Sequence, residues 1–159
     1  MEPLLSASSQ KVQDALKEYQ VSSEVIELPA STRTAVEAAE AVGCQIGQIV
    51  KSLIFMEKET GLPILVLASG SNRVNEKLIK SLVAGPVKMA NADFVREHTG
   101  YVIGGVPPIG HKEKIRTIVD EDLLKFPFLW AAAGTPHSVF QISPDDLVRI
   151  TEGRVVNII

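Results

Sequence analysis

Two features of the sequence could take part in binding or catalysis. One is a lysine inside an apolar segment, and the other is a glycine pair between two short apolar runs. Lys51 lies within Ile49–Met56, which is otherwise apolar and predicts an interior strand. Gly104 and Gly105 interrupt Thr99–His111 and remove two Cβ atoms where the backbone bends or another group comes close. Backbone amides exposed in such a loop can hold a carbonyl, as in an oxyanion site. A structural turn with a bulge is the alternative.

The lysine leaves three interpretations open. A buried ammonium with a lowered pKa can act as a general base or form a Schiff base, and a fixed cation can bind a carbonyl or a phosphate. A lysine on an edge strand instead extends its ammonium to water. Lys51 is compatible with each of these from its spacing alone.

The segment Gly134-Thr135-Pro136-His137 lies between two predicted strands and offers a hydroxyl, an imidazole and free amides. A plain turn is the alternative. One cysteine and three scattered histidines form no metal-binding motif, and no nucleotide or dinucleotide motif is present. We therefore predict no metal and no cofactor.

Composition indicates a single folded domain over residues 1–159, with 45% hydrophobic and 22% charged residues. The first five residues lack the basic and apolar regions of a secretory signal, and no apolar run is long enough to cross a bilayer. The sequence thus predicts a soluble, cytoplasmic protein. The net charge of −3 argues against a general nucleic-acid coat. Two local segments are basic: Arg73, Lys77, Lys80 and Lys88 face only Glu76, and a second cluster begins at Lys112.

Periodicity and capping residues predict helices and strands that mix without regular alternation. Ser8 or Ser9 is expected to cap the first helix, and Thr32 or Thr34 the second. We predict one α+β domain around a mixed, mostly antiparallel, twisted sheet with surrounding helices. The predicted helices cover residues 10–19, 35–42, 75–84, 91–98 and 144–152, and the predicted strands cover 24–28, 49–56, 62–68, 115–119, 129–133, 139–142 and 154–158.

The glycine segment also carries a family resemblance. Thr99–His111, continued by Ile115–Asp120, resembles the signature of the YbaK/ProX family of aminoacyl-tRNA editing deacylases. Val50–Phe55 resembles that family's lysine strand, and Lys88–Ala90 fits as well. These segments occur in the right order and separation, and the resemblance runs over nearly the whole chain.

The resemblance implies the fold of the editing insertion of bacterial prolyl-tRNA synthetases and hydrolysis of the ester that joins a wrong amino acid to tRNA. It implies that Lys51 is the essential catalytic lysine and that the glycine loop holds the aminoacyl carbonyl and the terminal ribose. The substrate-binding residues carried over on this basis are Gly104, Gly105, Ser52 and Gly134, with Thr135 and His137 beside the last.

The chain departs from the Cys-tRNA branch of that family at two places. Ala132-Ala133-Gly134 stands where that branch has Ser-Gly-Gly, and Ser52 stands where it has Thr. These differences favour Ala, Ser, Thr or 2-aminobutyrate over Cys as the amino acid removed. The expected partners are mischarged tRNA and prolyl-tRNA synthetase, with Arg73, Lys77, Lys80 and Lys112 on acceptor-stem phosphates. Two alternatives are a non-catalytic module that binds tRNA or a synthetase, and a metabolite-binding protein.

Overall fold

A mixed eight-stranded sheet lies between two layers of helices in the computed structural model, which describes residues 5–159. Residues 1–4, part of the segment expected to lack a secretory signal, lie outside the described residues. No helix within residues 5–159 is long and apolar enough to cross a membrane.

The elements follow one another along the chain, with two short 3-10 turns at Ile46–Gln48 and Glu121–Lys125. The helices are α1 (Ala7–Glu18), α2 (Ala35–Val42), α3 (Glu76–Val83), α4 (Ala92–Thr99) and α5 (Pro144–Thr151). The strands are β1 (Ile26–Glu27), β2 (Ile49–Glu57), β3 (Pro63–Ser69), β4 (Val87–Met89), β5 (Arg116–Asp120), β6 (Leu129–Ala132), β7 (Ser138–Ile142) and β8 (Arg154–Val156).

The strand order is β1-β7-β6-β2-β3-β5-β8, and β4 also pairs with β2. The β1·β7, β2·β3, β2·β4 and β6·β7 pairs are antiparallel, whereas β2·β6, β3·β5 and β5·β8 are parallel. The predicted α+β class with a mixed sheet is confirmed. The predicted hairpin is β2·β3, with Met56 opposite Pro63.

β3 is buried on both faces, which explains why its sequence is a continuous apolar run rather than an alternating one. Leu65 and Leu67 point into the core beneath α1, α4 and α5. Val66 and Ala68 point to the opposite face, against Ile79 of α3. The sheet is therefore packed by helices on each side, and the site residues of β2 lie beside its most buried strand.

One helix start differs from the sequence prediction, and another decides between the two predicted caps. Ser6, rather than Ser8 or Ser9, caps α1 by accepting a hydrogen bond from the Ser9 N–H, so the helix begins three residues earlier. Thr34 caps α2 by accepting from the Glu37 N–H at 3.1 Å. Thr32, the other candidate, is instead buried.

Strand β4 was not predicted, because three residues with a central lysine carry no periodic signal and form a strand only by pairing with β2.

The glycine loop packs directly against the turn between β6 and β7. The Gly105 carbonyl accepts a hydrogen bond from the Gly134 N–H at 2.9 Å. A Cβ at position 105 would lie 2.8 Å from the backbone of Thr135, closer than any unstrained contact. Glycine is thus required at 105 because two stretches of backbone meet there.

Gly105→Ala is expected to lower the free energy of unfolding by about 1–3 kcal/mol, since neither backbone can move aside without breaking the hydrogen bond. Urea denaturation measures the change. Gly85→Ala is the control, because a Cβ there would find its nearest heavy atom at 3.8 Å. Equal unfolding midpoints for the two variants would contradict the close approach at 105.

Candidate active site

The candidate site lies where one edge of β2 has no neighbouring strand. One edge of this strand pairs with β6 at Ile49 and Val50 and with β4 from Phe55 to Glu57. The backbone groups of the odd-numbered residues of β2 form the hydrogen bonds to β3. For example, the Gly70 N–H donates to the Ile49 carbonyl. Even-numbered residues therefore direct their backbone groups to the other edge. The N–H and C=O of Ser52 consequently face the gap between β6 and β4.

A cavity of about 330 Å³ lies at this opening. It is bordered by β2, by the segment before α2, by the glycine loop, and by β6 and β7. Lys51, Ser52 and Gly104 all line it, so the structure brings together the predicted catalytic lysine and the first residue of the glycine pair. Its other walls are formed by Thr32, Arg33, Thr34, Ala35, Ala38, Ile49, Val50, Leu53, Ile103, Val106, Trp130, Ala131, Ala132 and Val139.

The Lys51 ammonium is held by the loop that follows β3. Its Nζ donates to the Asn72 carbonyl at 2.5 Å. The Asn72 amide donates in turn to the carboxylates of Asp120 and Asp122, each at 2.8 Å. Asp120 is 1% exposed and also accepts from the Ser69 N–H at 2.9 Å. A buried carboxylate therefore fixes the loop that positions the lysine.

Partial burial lowers the pKa of Lys51 from its ordinary value, and the negative charge of Asp120 acts in the opposite direction. Asp120 also caps the following turn, by accepting a hydrogen bond from the Asp122 N–H. Its additional contacts across the sheet could not be predicted, because they join residues 48 to 51 positions apart in the sequence.

The backbone conformation of Gly104 favours glycine at this place in the cavity wall. Its φ of +92° lies in the left-handed region, and a Cβ there would lie 2.6 Å from the Cγ of Arg33. Arg33 therefore packs over the glycine, at the edge of the cavity, as an exposed second cation. Within residues 5–159 its guanidinium makes no hydrogen bond or ion pair. Its place in the site was not predictable from the sequence, because Ser31–Thr34 has a helix-capping pattern and no distinct binding motif.

Two hydroxyls in the cavity wall have no hydrogen-bond partner. Thr32 Oγ1 and Ser52 Oγ are buried, and no group of residues 5–159 bonds to either. A buried hydroxyl left unpaired costs about 1–3 kcal/mol. Such groups are rare in folded proteins, so each of them calls for an explanation.

Four other predicted substrate-binding residues lie behind the wall rather than in it. Gly105, Gly134, Thr135 and His137 do not border the cavity. They form the contact between the glycine loop and the β6–β7 turn, and the His137 side chain is exposed. This turn also positions Thr32, whose N–H donates to the Pro136 carbonyl at 2.6 Å.

The four predicted tRNA-binding residues are exposed and lie in two regions. Arg73 follows Asn72, next to the carbonyl that holds Lys51, and Lys77 and Lys80 lie on α3. Lys112 borders a separate depression beside α1.

The cavity suits the positioning of a polar substrate more than acid–base chemistry by side chains. Its described lining contains two cations, hydroxyls and open backbone groups, but no histidine, carboxylate or thiol. Cys44 lies elsewhere, and burial raises the pKa of its thiol, which disfavours the nucleophilic thiolate. Within residues 5–159 no group of three histidine, cysteine or acidic side chains is arranged to hold a metal ion. A larger depression, of about 490 Å³ between α1 and α5, contains none of the predicted site residues.

Comparison with known proteins identifies the fold and the family. A crystal structure described as that of "a putative trans-editing enzyme for prolyl tRNA synthetase" superposes with a TM-score of 0.92, at 47% identity over 98% of each chain. The Enterococcus faecalis protein named "Putative Cys-tRNA(Pro)/Cys-tRNA(Cys) deacylase EbsC" is 27% identical over 79% of this chain and 76% of its own length. The proline–tRNA ligase of Limosilactobacillus fermentum is 35% identical over 55% of this chain, a match that spans 16% of the ligase.

The match to a family is specific and covers most of the described residues. Residues 29–150 match the aminoacyl-tRNA editing domain, a range that includes every residue lining the cavity. The resemblance seen in the lysine strand and the glycine loop is thereby confirmed, and the chain belongs to the aminoacyl-tRNA editing domain family.

Proposed function

We propose that this protein is a trans-acting aminoacyl-tRNA deacylase that hydrolyses the ester of mischarged tRNA. The proposed substrate is tRNA(Pro) carrying a small non-cognate amino acid: Ala, Ser, Thr, 2-aminobutyrate or Cys. The observation that carries the proposal is that Lys51 and Gly104 wall one cavity at an open sheet edge. Family membership and the names of the relatives support it.

The reaction requires little from side chains because an aminoacyl ester is already reactive. Water adds to the ester carbonyl, the bond to the ribose oxygen breaks, and that oxygen receives a proton, which leaves a free amino acid and an uncharged tRNA end. In this proposal, Lys51 and the open N–H of Ser52 hold the carbonyl as negative charge develops on its oxygen. Water or the adjacent ribose hydroxyl completes the proton transfer.

A separate hydrolytic site has a physical reason. A synthetase pocket separates amino acids that differ by one methylene by only about 1–3 kcal/mol. A second site with different selection rules multiplies that discrimination. Prolyl-tRNA synthetase is the proposed source of the mischarged tRNA, in the cytoplasm.

Lys51→Ala is expected to lower kcat/KM for a mischarged tRNA by about 10²–10³, the usual effect of removing one oxyanion donor. The measurement is the release of labelled Ala, Ser, Cys and Pro from tRNA(Pro). Lys58→Ala, an exposed lysine at the far end of β2, is the control and retains wild-type rates.

Unchanged turnover by Lys51→Ala would contradict the role given to this lysine. If the wild type hydrolyses none of the substrates, the protein is not a deacylase. Salt-sensitive tRNA binding without turnover would then identify a non-catalytic binding module, and the absence of tRNA binding would favour a metabolite-binding protein.

The pH dependence follows from the lowered pKa of Lys51. The protonated ammonium is the active form, so the lysine-dependent rate is present at low pH and is lost as pH rises through the folded-state pKa. This loss is expected below about pH 10.4, where an exposed lysine titrates. The measured quantity is the wild-type rate minus the Lys51→Ala rate at each pH, because the subtraction removes spontaneous hydrolysis. A difference that stays constant up to that pH would contradict a cationic role.

The proposed tRNA contacts predict a salt dependence. Each phosphate contact contributes about 0.7–0.9 to the slope of log affinity against log salt concentration. Alanine at Arg73, Lys77, Lys80 or Lys112 should therefore reduce the slope by about that amount in a filter-binding titration, whereas Lys58→Ala should not. Any of the four variants with the wild-type slope would remove that residue from the proposed tRNA surface.

A further inference from the structure

The two unpartnered hydroxyls of the described chain border the same cavity. Thr32 is 6% exposed and Ser52 Oγ is inaccessible to solvent, yet neither hydroxyl bonds to any group within residues 5–159. Other buried hydroxyls are paired: Ser69 donates to the Gly47 carbonyl at 2.7 Å, and Thr99 donates to the Val95 carbonyl at 2.7 Å. The absence of partners is therefore specific to this cavity wall.

Neither position requires a hydroxyl for folding. Thr34 provides the cap of α2, and Thr32 is held through its backbone N–H by the Pro136 carbonyl. Ser52 lies on a strand face between Val50 and Ile54, which pack into the main core. An apolar side chain of similar size would serve at both places if packing were the only requirement. Both hydroxyls are thus available to a ligand, and a change of χ1 between staggered rotamers can turn either toward the cavity.

The rest of the inner lining is mostly apolar. Leu53, Val106 and Val139 are among the apolar residues that line the same cavity. A ligand group that only filled this space with methyl or methylene groups would leave both hydroxyls unpaired. A ligand hydroxyl is both a donor and an acceptor, so it can pair with either wall hydroxyl, whereas a methyl group can pair with neither.

We propose that Thr32 and Ser52 select aminoacyl groups that carry a side-chain hydroxyl, so that the preferred substrates are seryl and threonyl esters. This inference rests on the proposed function, and it narrows the list of small amino acids given there. A site built to hydrogen-bond a substrate hydroxyl rejects analogues that lack it, because its own buried groups then stay unpaired. Prolyl esters, which have no side-chain hydroxyl, would be spared for the same reason.

The first test measures binding without hydrolysis. The probes are 3′-amino-3′-deoxyadenosine carrying serine, alanine or proline through a stable amide, and the readout is the Kd by calorimetry. The seryl probe is expected to bind at least about tenfold more tightly than the alanyl probe. Thr32→Val and Ser52→Ala should each reduce that ratio severalfold, whereas Ser22→Ala, an exposed serine away from the cavity, should leave it unchanged.

The second test measures hydrolysis of Ser-, Thr-, Ala- and Pro-tRNA(Pro). The wild type is expected to favour the seryl and threonyl esters over the alanyl ester by at least about tenfold in kcat/KM. Both variants should shift this ratio toward one. Thermal unfolding midpoints at or above the wild-type value verify that the variants are folded, because each removes only an unpaired hydroxyl.

The outcomes separate the two levels of the proposal. Equal Kd values for the seryl and alanyl probes would overturn the hydroxyl selection, whether or not the protein hydrolyses any ester. Equal losses on every probe in both variants would also overturn it, since the hydroxyls would then bind a group common to all substrates, such as the α-ammonium. Tight, selective binding of the seryl probe without hydrolysis of any ester would support the selection and contradict the deacylase proposal.

Discussion

The structure of the site depends on the incomplete pairing of β2. A strand at the centre of a sheet normally bonds along both edges, but here β6 covers only the first two residues of one edge and β4 only the last three. Between them, backbone groups and side chains of both strand faces reach a single cavity. This arrangement explains how Lys51 and Ser52, which point to opposite faces of the sheet, can border the same space.

Around this opening, three loops are held by interactions that keep the cavity walls in register. Asp120 fixes the loop that accepts the Lys51 ammonium, and the Gly105–Gly134 hydrogen bond joins the glycine loop to the β6–β7 turn. That turn in turn holds Thr32. Each wall is thus tied to a different part of the sheet.

Much of the fold was predictable because long, periodic segments specify their structure locally. The positions of α2, β2, β3 and α5 agree with the sequence within one to two residues, since each has a capping residue, a turn or a continuous apolar run. β4 was not predictable, because its strand conformation comes from pairing with β2. Lys51 and the glycine pair could be identified from the sequence, because each is unusual within its own apolar segment. Arg33 and Thr32 could not, because polar residues before a helix are normally explained by helix capping. Arg33 and Thr32 become candidate site residues only because the fold brings them to the same cavity as Lys51.

The shortness of the opening has a consequence for what can bind there. Residues 51–53 present too few free backbone groups to pair with a strand from another chain. This short unpaired edge therefore does not promote aggregation, whereas a long unpaired edge strand would. A single acyl group needs less of the edge, because it has one carbonyl to pair where a strand would have several backbone groups. On the proposed function, the substrate carbonyl accepts the hydrogen bond that a neighbouring strand would otherwise accept at this edge.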